Sequence, residues 1–133
     1  MVNKAKELFA RMKQLRLRPT FVTFNSLIDV FVRVNQMKDA WKHFAMMRTC
    51  ALKPDNFTCS TLIKGIKPSA KQLASGLPSE SGRRDMQVAF DLLDQMHSNP
   101  GQFRERPDEV LYNCMIDMCV RFRDLPSAIY LFD

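Results

Sequence analysis

The chain has 133 residues, 46% hydrophobic and 26% charged, with a formal net charge of +6. That is enough apolar material for a shared core and a basic balance suited to an acidic partner such as nucleic acid. No run approaches the ~18 consecutive apolar residues of a membrane helix, and no charged segment with an apolar stretch behind it opens the chain as a secretory signal would.

The first element expected is a helix over residues 3–16, the second half of a helical pair whose first half is missing. It is basic: residues 1–18 hold six Lys or Arg and one acidic residue, Glu7. A full pair follows from Thr20 to Asp55. Its first helix spans about 23–34, where Phe24, Leu27, Ile28 and Phe31 recur at helical spacing. Its second spans about 38–49, with Met37, Ala40, Trp41, Phe44 and Met47 on one side. Lys53-Pro54-Asp55 ends it, because proline cannot continue a helix and disfavours helix in the residue before. The next pair, 56–108, is too long and carries insertions near 67–84 and 98–106. The first insertion, KPSAKQLASGLPSESGRR, reads as a loop, with a helix expected from Asp85 to His97. A last pair starts at Glu109, and Asp124 and Pro126 suit the cap and first turn of its second helix.

These pairs are copies of one unit. Pro19 and Pro54 are 35 apart, as are Ala5 and Ala40, Phe9 and Phe44, and Met12 and Met47. An offset of 88 carries Val22 to Val110, Asn25 to Asn113, Ile28 to Ile116, Asp29 to Asp117 and Arg33 to Arg121. Self-similarity at this period predicts an all-α fold, a right-handed α-solenoid of 35-residue helix-turn-helix repeats. First helices should line the concave face and second helices the convex one. The whole chain, 1–133, reads as one array: 3–19 a partial unit, 20–55 and 56–108 full units, 109–133 a partial unit. Neither end carries the polar cap usual in solenoids, so the array is expected to be part of a longer protein, and its ends could stack on one another in isolation.

Four cysteines, Cys50, Cys59, Cys114 and Cys119, form no Cys-x-x-Cys pair, and His43 and His97 are the only histidines. No metal site and no cofactor is expected, and the thiols read as free. The two histidines read as exposed and Trp41 as core. No nucleophile–base pair, phosphate loop or acidic cluster points to catalysis.

Two known repeats have such columns. The tetratricopeptide repeat has a period of 34 and needs a small residue where Ile28, Ile63 and Ile116 stand. The sequence resembles the pentatricopeptide repeat family more closely. VTFNSLIDVFVR (22–33), FTCSTLIKGI (57–66) and VLYNCMIDMCVR (110–121) are similar to its first helix; DAWKHFAMM (39–47) and LKPD (52–55) are similar to its second helix and terminator. The resemblance implies binding of single-stranded RNA in a mitochondrion or chloroplast, one base per repeat. By register it makes Asn25 with Asp55, and Ser60 with Asp108, the base readers, and adds Asn113 in the last unit. Val22, Phe57 and Val110 would stack on bases. Thr20 closes the leading unit, where the family more often has Asp or Asn. Family precedent then implies a 5′-U-G-3′ step followed by a pyrimidine.

The residues suit that task. Asn can donate and accept, so it can match a pyrimidine edge, and the shorter Ser leaves room for a purine. Asn25, Asp29 and Arg33 form a stripe four residues apart, repeated as Asn113, Asp117 and Arg121. Arg33, Lys64, Lys67 and Arg121 lie where phosphates would pass. The function expected is sequence-selective RNA binding in organellar RNA processing, stability, editing or translation, without catalysis. The rival readings are a non-catalytic scaffold in a mitochondrial ribosome or other organellar assembly, and the recognition module of a larger RNA-processing enzyme. Partners would be RNA and possible ribosomal or RNA-processing proteins, with no membrane.

Overall fold

A computed structural model describes residues 2–68 and 80–123. Within them the chain forms α1 (Val2–Gln14), α2 (Phe21–Arg33), α3 (Met37–Thr49), α4 (Asn56–Lys64), α5 (Glu80–Ser98) and α6 (Glu109–Arg121), with a 3-10 turn at Pro100–Gln102 before α6. These described residues include no strand. The first helices α2, α4 and α6 pack side by side in order. α3 lies against α2 and α4, α1 against α2, and α5 against α6. This is the staggered pairing of an α-solenoid.

The repeat extends to the backbone. α1, α2, α3 and α6 are each followed by a residue with left-handed φ: Arg16 at 57°, Asn35 at 60°, Ala51 at 60° and Arg123 at 61°. Arg16 and Ala51 stand 35 apart in sequence, Asn35 and Arg123 88 apart. The turn after three of them closes with one long amide bond, from Leu17 N to Met12 O (2.9 Å), Gln36 N to Phe31 O (2.8 Å) and Leu52 N to Met47 O (3.1 Å). Such bonds satisfy carbonyls that a helix end leaves without partners.

One continuous core runs through the stack. Phe24, Ile28 and Phe31 of α2, Ala40, Phe44 and Met47 of α3, and Cys59, Leu62 and Ile63 of α4 are all buried. The α5 and α6 contributions include Ala89, Leu93, Met96, Leu111 and Met115. Ala40 and its counterpart Ala89 have no exposed surface, so neighbouring backbones come close at both. Gly65 closes α4 for a related reason. A Cβ there would run into the thioether of Met37 and touch Val32.

The amino-terminal end of the stack has an open apolar groove of about 190 Å³, lined by Ala5, Phe9 and Met12 of α1 with Thr23, Leu27 and Val30 of α2. One unit further on, the same positions are Ala40, Phe44, Met47, Thr58, Leu62 and Gly65. All six are buried, on the helices α3 and α4 against which α2 packs.

Three expectations need correction. His43 is buried, not exposed: its ring centroid lies 4.7 Å from that of Phe31 and its Nδ1 lies 2.7 Å from the Asp39 carbonyl oxygen. An imidazole whose polar atom has a partner can serve as an aromatic core residue. Trp41 is half-buried and lines an open cleft of about 1000 Å³ with Val32, Met37 and Ile66. And α5 begins at Glu80, five residues before the expected Asp85; no proline interrupts 80–98, and one internal glycine, Gly82, costs a helix only about 1 kcal/mol. Residues 69–79 of the first insertion, and Asp124 and Pro126, lie outside the described residues.

The second insertion is packed. Phe103 is buried, and the Arg48 guanidinium sits between the rings of Phe44 (5.8 Å) and Phe103 (5.6 Å). Arg48 also donates to the side-chain oxygens of Gln95 and Gln102. Beyond Phe103 the chain is strapped to the start of α4. Arg104 N donates to Pro54 O (2.9 Å). The buried Asn56 does the rest: its Nδ2 donates to Arg106 O (2.9 Å), its Oδ1 accepts from Asp108 N (3.2 Å), and its backbone N donates to Glu105 Oε1 (3.1 Å). Truncating a buried phenylalanine costs about 3–5 kcal/mol. Phe103→Ala should therefore lower the midpoint of urea unfolding clearly; an unchanged midpoint would mean that the strap is not part of the cooperative unit.

Candidate nucleic-acid interface

The last residue of each unit is the N-cap of the next unit's first helix. Thr20, Asp55 and Asp108 all have extended backbone, with φ of −107°, −111° and −104°. Asp55 Oδ1 accepts from Thr58 N and Asp108 Oδ1 from Leu111 N, both at 2.9 Å. At Thr20 the cap is reversed: its backbone N donates to Thr23 Oγ1 (3.1 Å). A side-chain cap of this kind contributes about 0.5–2 kcal/mol. The two aspartates therefore have a folding role whatever else they do.

Two residues past each cap stands an exposed apolar side chain. Val22 is 59% exposed, Phe57 53% and Val110 52%. Five residues past each cap stands the polar residue read from the sequence as a base reader. Asn25 and Ser60 are almost covered, at 8% and 5% exposure, while Asn113 is exposed. The exposed apolar column thus stands beside polar residues that are recessed in units one and two and exposed in unit three.

The structure brings Asn25 and Asp55 together through Thr58, a residue the sequence reading did not single out. Thr58 Oγ1 lies within hydrogen-bond distance of Asn25 Oδ1 and 2.8 Å from Asp55 Oδ1, and accepts from Asp55 N (3.3 Å). Unit two has no such link. Ser60 Oγ donates back to Phe57 O (3.2 Å), and Leu111 stands where unit one's partner has Thr58.

The four basic residues differ. Arg33 is exposed and paired with Asp29 at 2.9 Å. Lys64 and Lys67 are exposed. Arg121 lies 3.3 Å from Asp117 through Nε and donates from Nη1 to Lys64 O (3.2 Å), so it also closes the carboxyl end of α4. A cation there is favoured by the helix dipole. A further basic residue, Arg104, also escaped the sequence reading: its guanidinium lies 4.0 Å over the Phe21 ring, next to Val22, and is exposed. Its position depends on the packed strap, which the polar composition of the insertion does not announce.

Comparison with known proteins agrees with this register. A PPR repeat family profile matches residues 19–67, a pentatricopeptide repeat domain profile 2–34 and a PPR repeat profile 110–133. The chain belongs to the pentatricopeptide repeat family. It is 38% identical over 85 residues to a pentatricopeptide repeat-containing protein of Arabidopsis thaliana named as chloroplastic, covering 57% of this chain and 10% of that protein. It is 36% identical over 64 residues to the chloroplastic pentatricopeptide repeat-containing protein 10 of Zea mays, covering 45% and 8%. A second chloroplastic Arabidopsis thaliana relative matches 96% of this chain at 21% identity, over 20% of its own length. This repeat chain thus spans a fifth or less of these relatives.

Among the described residues of this pentatricopeptide repeat chain, no group of three or more His, Cys, Asp or Glu could hold a metal ion, and no helix is long and apolar enough to cross a membrane. The four cysteines are free thiols, and all but Cys50 are buried. Burial, then the nearby Asp55 charge, pushes the Cys59 thiol up to about 12. The thiolate is the nucleophile, so iodoacetamide should label Cys50 in the folded protein and Cys59 only on unfolding. The folded state holds the Cys59 proton more tightly than the unfolded chain. Its stabilising contribution should be complete below about pH 8.5, the ordinary thiol value, and decline as pH rises toward about 12. Thermal melts of the wild type and of Cys59→Ala across this range would measure that decline.

Proposed function

We propose that this segment binds single-stranded RNA along the amino-terminal ends of α2, α4 and α6, one base per unit, as part of an organellar protein. The observation that carries the reading is the exposed column. Val22, Phe57 and Val110 lie far apart in sequence, yet each keeps more than half its surface in solvent two residues after an N-cap. Their helix neighbours Phe24, Cys59 and Leu111 are fully buried. An apolar side chain left exposed in every unit, beside a polar one that is recessed in units one and two, suits a flat base with a hydrogen-bonding edge.

In this reading Asn25 and Asp55 take uracil, Ser60 and Asp108 take guanine, and Asn113 takes a pyrimidine. Arg33, Lys64 and Lys67 meet phosphates; Arg121 does so through the charge it places at the end of α4. The net charge of +6 favours the encounter. The chloroplastic names of the relatives support an organelle, chloroplast or mitochondrion, as the place of action. Recognition, not catalysis, is the role assigned to the segment. The runner-up is a scaffold insensitive to base identity.

Titration with a short RNA containing U-G, followed by amide NMR at low salt, should shift Val22, Asn25, Phe57 and Ser60 saturably, and less when U-G becomes A-C. Stacking on an aromatic contributes about 1–3 kcal/mol per base, so Phe57→Ala should weaken binding roughly 5- to 150-fold. Shifts confined to α1, or equal for both RNAs, would replace base reading with the scaffold.

A further inference from the structure

We propose that Thr58 is a positioning residue that decides which edge of Asn25 faces the RNA, and so lets unit one accept uracil and reject cytosine. The proposal rests on the base-reading function above. It adds a residue of the following unit to the recognition apparatus of unit one.

Thr58 is fully buried, and its Oγ1 has two oxygen neighbours, Asp55 Oδ1 at 2.8 Å and Asn25 Oδ1. A hydroxyl has one proton to give. A hydrogen bond to a carboxylate is about twice as strong as one between neutral groups, so the proton goes to Asp55. Two oxygens, Thr58 Oγ1 and Asn25 Oδ1, would then face one another with no proton between them. A half-turn of the Asn25 carboxamide exchanges its oxygen and nitrogen in nearly the same space. Nδ2 then donates to Thr58 Oγ1, and every group is satisfied: Asn25 N–H to Thr58 oxygen, Thr58 O–H to the Asp55 carboxylate.

The consequence lies at the other end of the carboxamide. With Nδ2 held by Thr58, Oδ1 is left as the acceptor that Asn25 offers to a base. Uracil offers a donor, N3–H, on its pairing edge. Cytosine is the same size but has an unprotonated N3 there, and two acceptors face to face repel. Size admits either pyrimidine; the relay selects between them. Unit two has Leu111 in place of Thr58, and Ser60 is bonded to its own helix, so the device belongs to the junction of units one and two.

Two measurements test it. The first needs no RNA. Hydrogen exchange of the Asn25 side-chain amide in the free protein should be slowed if Nδ2 donates to Thr58; exchange as fast as that of the exposed Asn113 overturns the proposed orientation while leaving base reading untouched. The second compares RNAs that differ only by U or C opposite unit one, for the wild type, Thr58→Ser and Thr58→Val. Wild type and Thr58→Ser should prefer U, and Thr58→Val should bind both within about twofold, with the guanine preference of unit two unchanged in all three. A U preference that survives Thr58→Val in a folded protein overturns the role of Thr58. A wild type that binds U and C equally but rejects purines opposite unit one overturns this proposal and leaves reading by size standing; one that accepts any base there overturns base reading at unit one as well.

Discussion

A unit of this chain cannot close its interior alone: α3 of the same unit, and α1 and α4 of the units on either side, all pack on α2. Phe24, Ile28 and Phe31 are covered because α3 and α4 lie against α2. The burial belongs to the contacts between helices, as in any stack whose units touch only their neighbours. The rest of the architecture is subordinate to that stacking. The helix ends turn at matching places so that each helix meets the next in register, and the small Ala40, Gly65 and Ala89 stand where backbones must approach. The groove on α1 and α2 marks the same dependence: Ala5, Met12, Thr23 and Val30 are half-buried there, and their counterparts one unit later are buried. The candidate site depends on it too, since Asn25 and Thr58 come from different units and meet only because α2 and α4 pack side by side.

Periodicity carried the fold well. The apolar columns, the proline before each first helix and the offsets of 35 and 88 place the helices within a few residues, because repeated burial leaves a repeated pattern. Where the sequence misled, the missing information was tertiary. His43 resembles any polar helix residue until the rings of Phe9 and Phe31 are found beside it. Phe103 and Arg104 sit in a polar insertion whose packing depends on Arg48 and Pro54, some fifty residues earlier. For the site, the family resemblance, carried over by register, singled out Val22, Phe57 and Val110, and the structure leaves all three exposed. It could not indicate that Asn25 is nearly covered or that Thr58 lies between Asn25 and Asp55, because a hydroxyl 33 residues from its partner has no local signature.

The two insertions have different physical characters. The second is held by a buried ring, a stacked guanidinium and the three hydrogen bonds of Asn56. Such a segment adds to the packed body. It also carries Arg104 onto Phe21, beside the exposed column, extending the basic character of that edge. The first insertion delivers the chain to a helix that starts earlier than its composition suggests.

If the proposed reading holds, the position that ends each unit serves two masters. Thr20, Asp55 and Asp108 each stand at the N-cap of a first helix, and the helix starts they form are needed for stacking. Folding admits few residues there: Ser, Thr, Asp, Asn and, less well, Gly. Any vocabulary of recognition written at that position must therefore be drawn from the vocabulary of helix capping. In the proposed reading an array can change what it reads by exchanging one capping residue for another, whereas a lysine or a leucine at the same place would also give up a cap that contributes about 0.5–2 kcal/mol to folding.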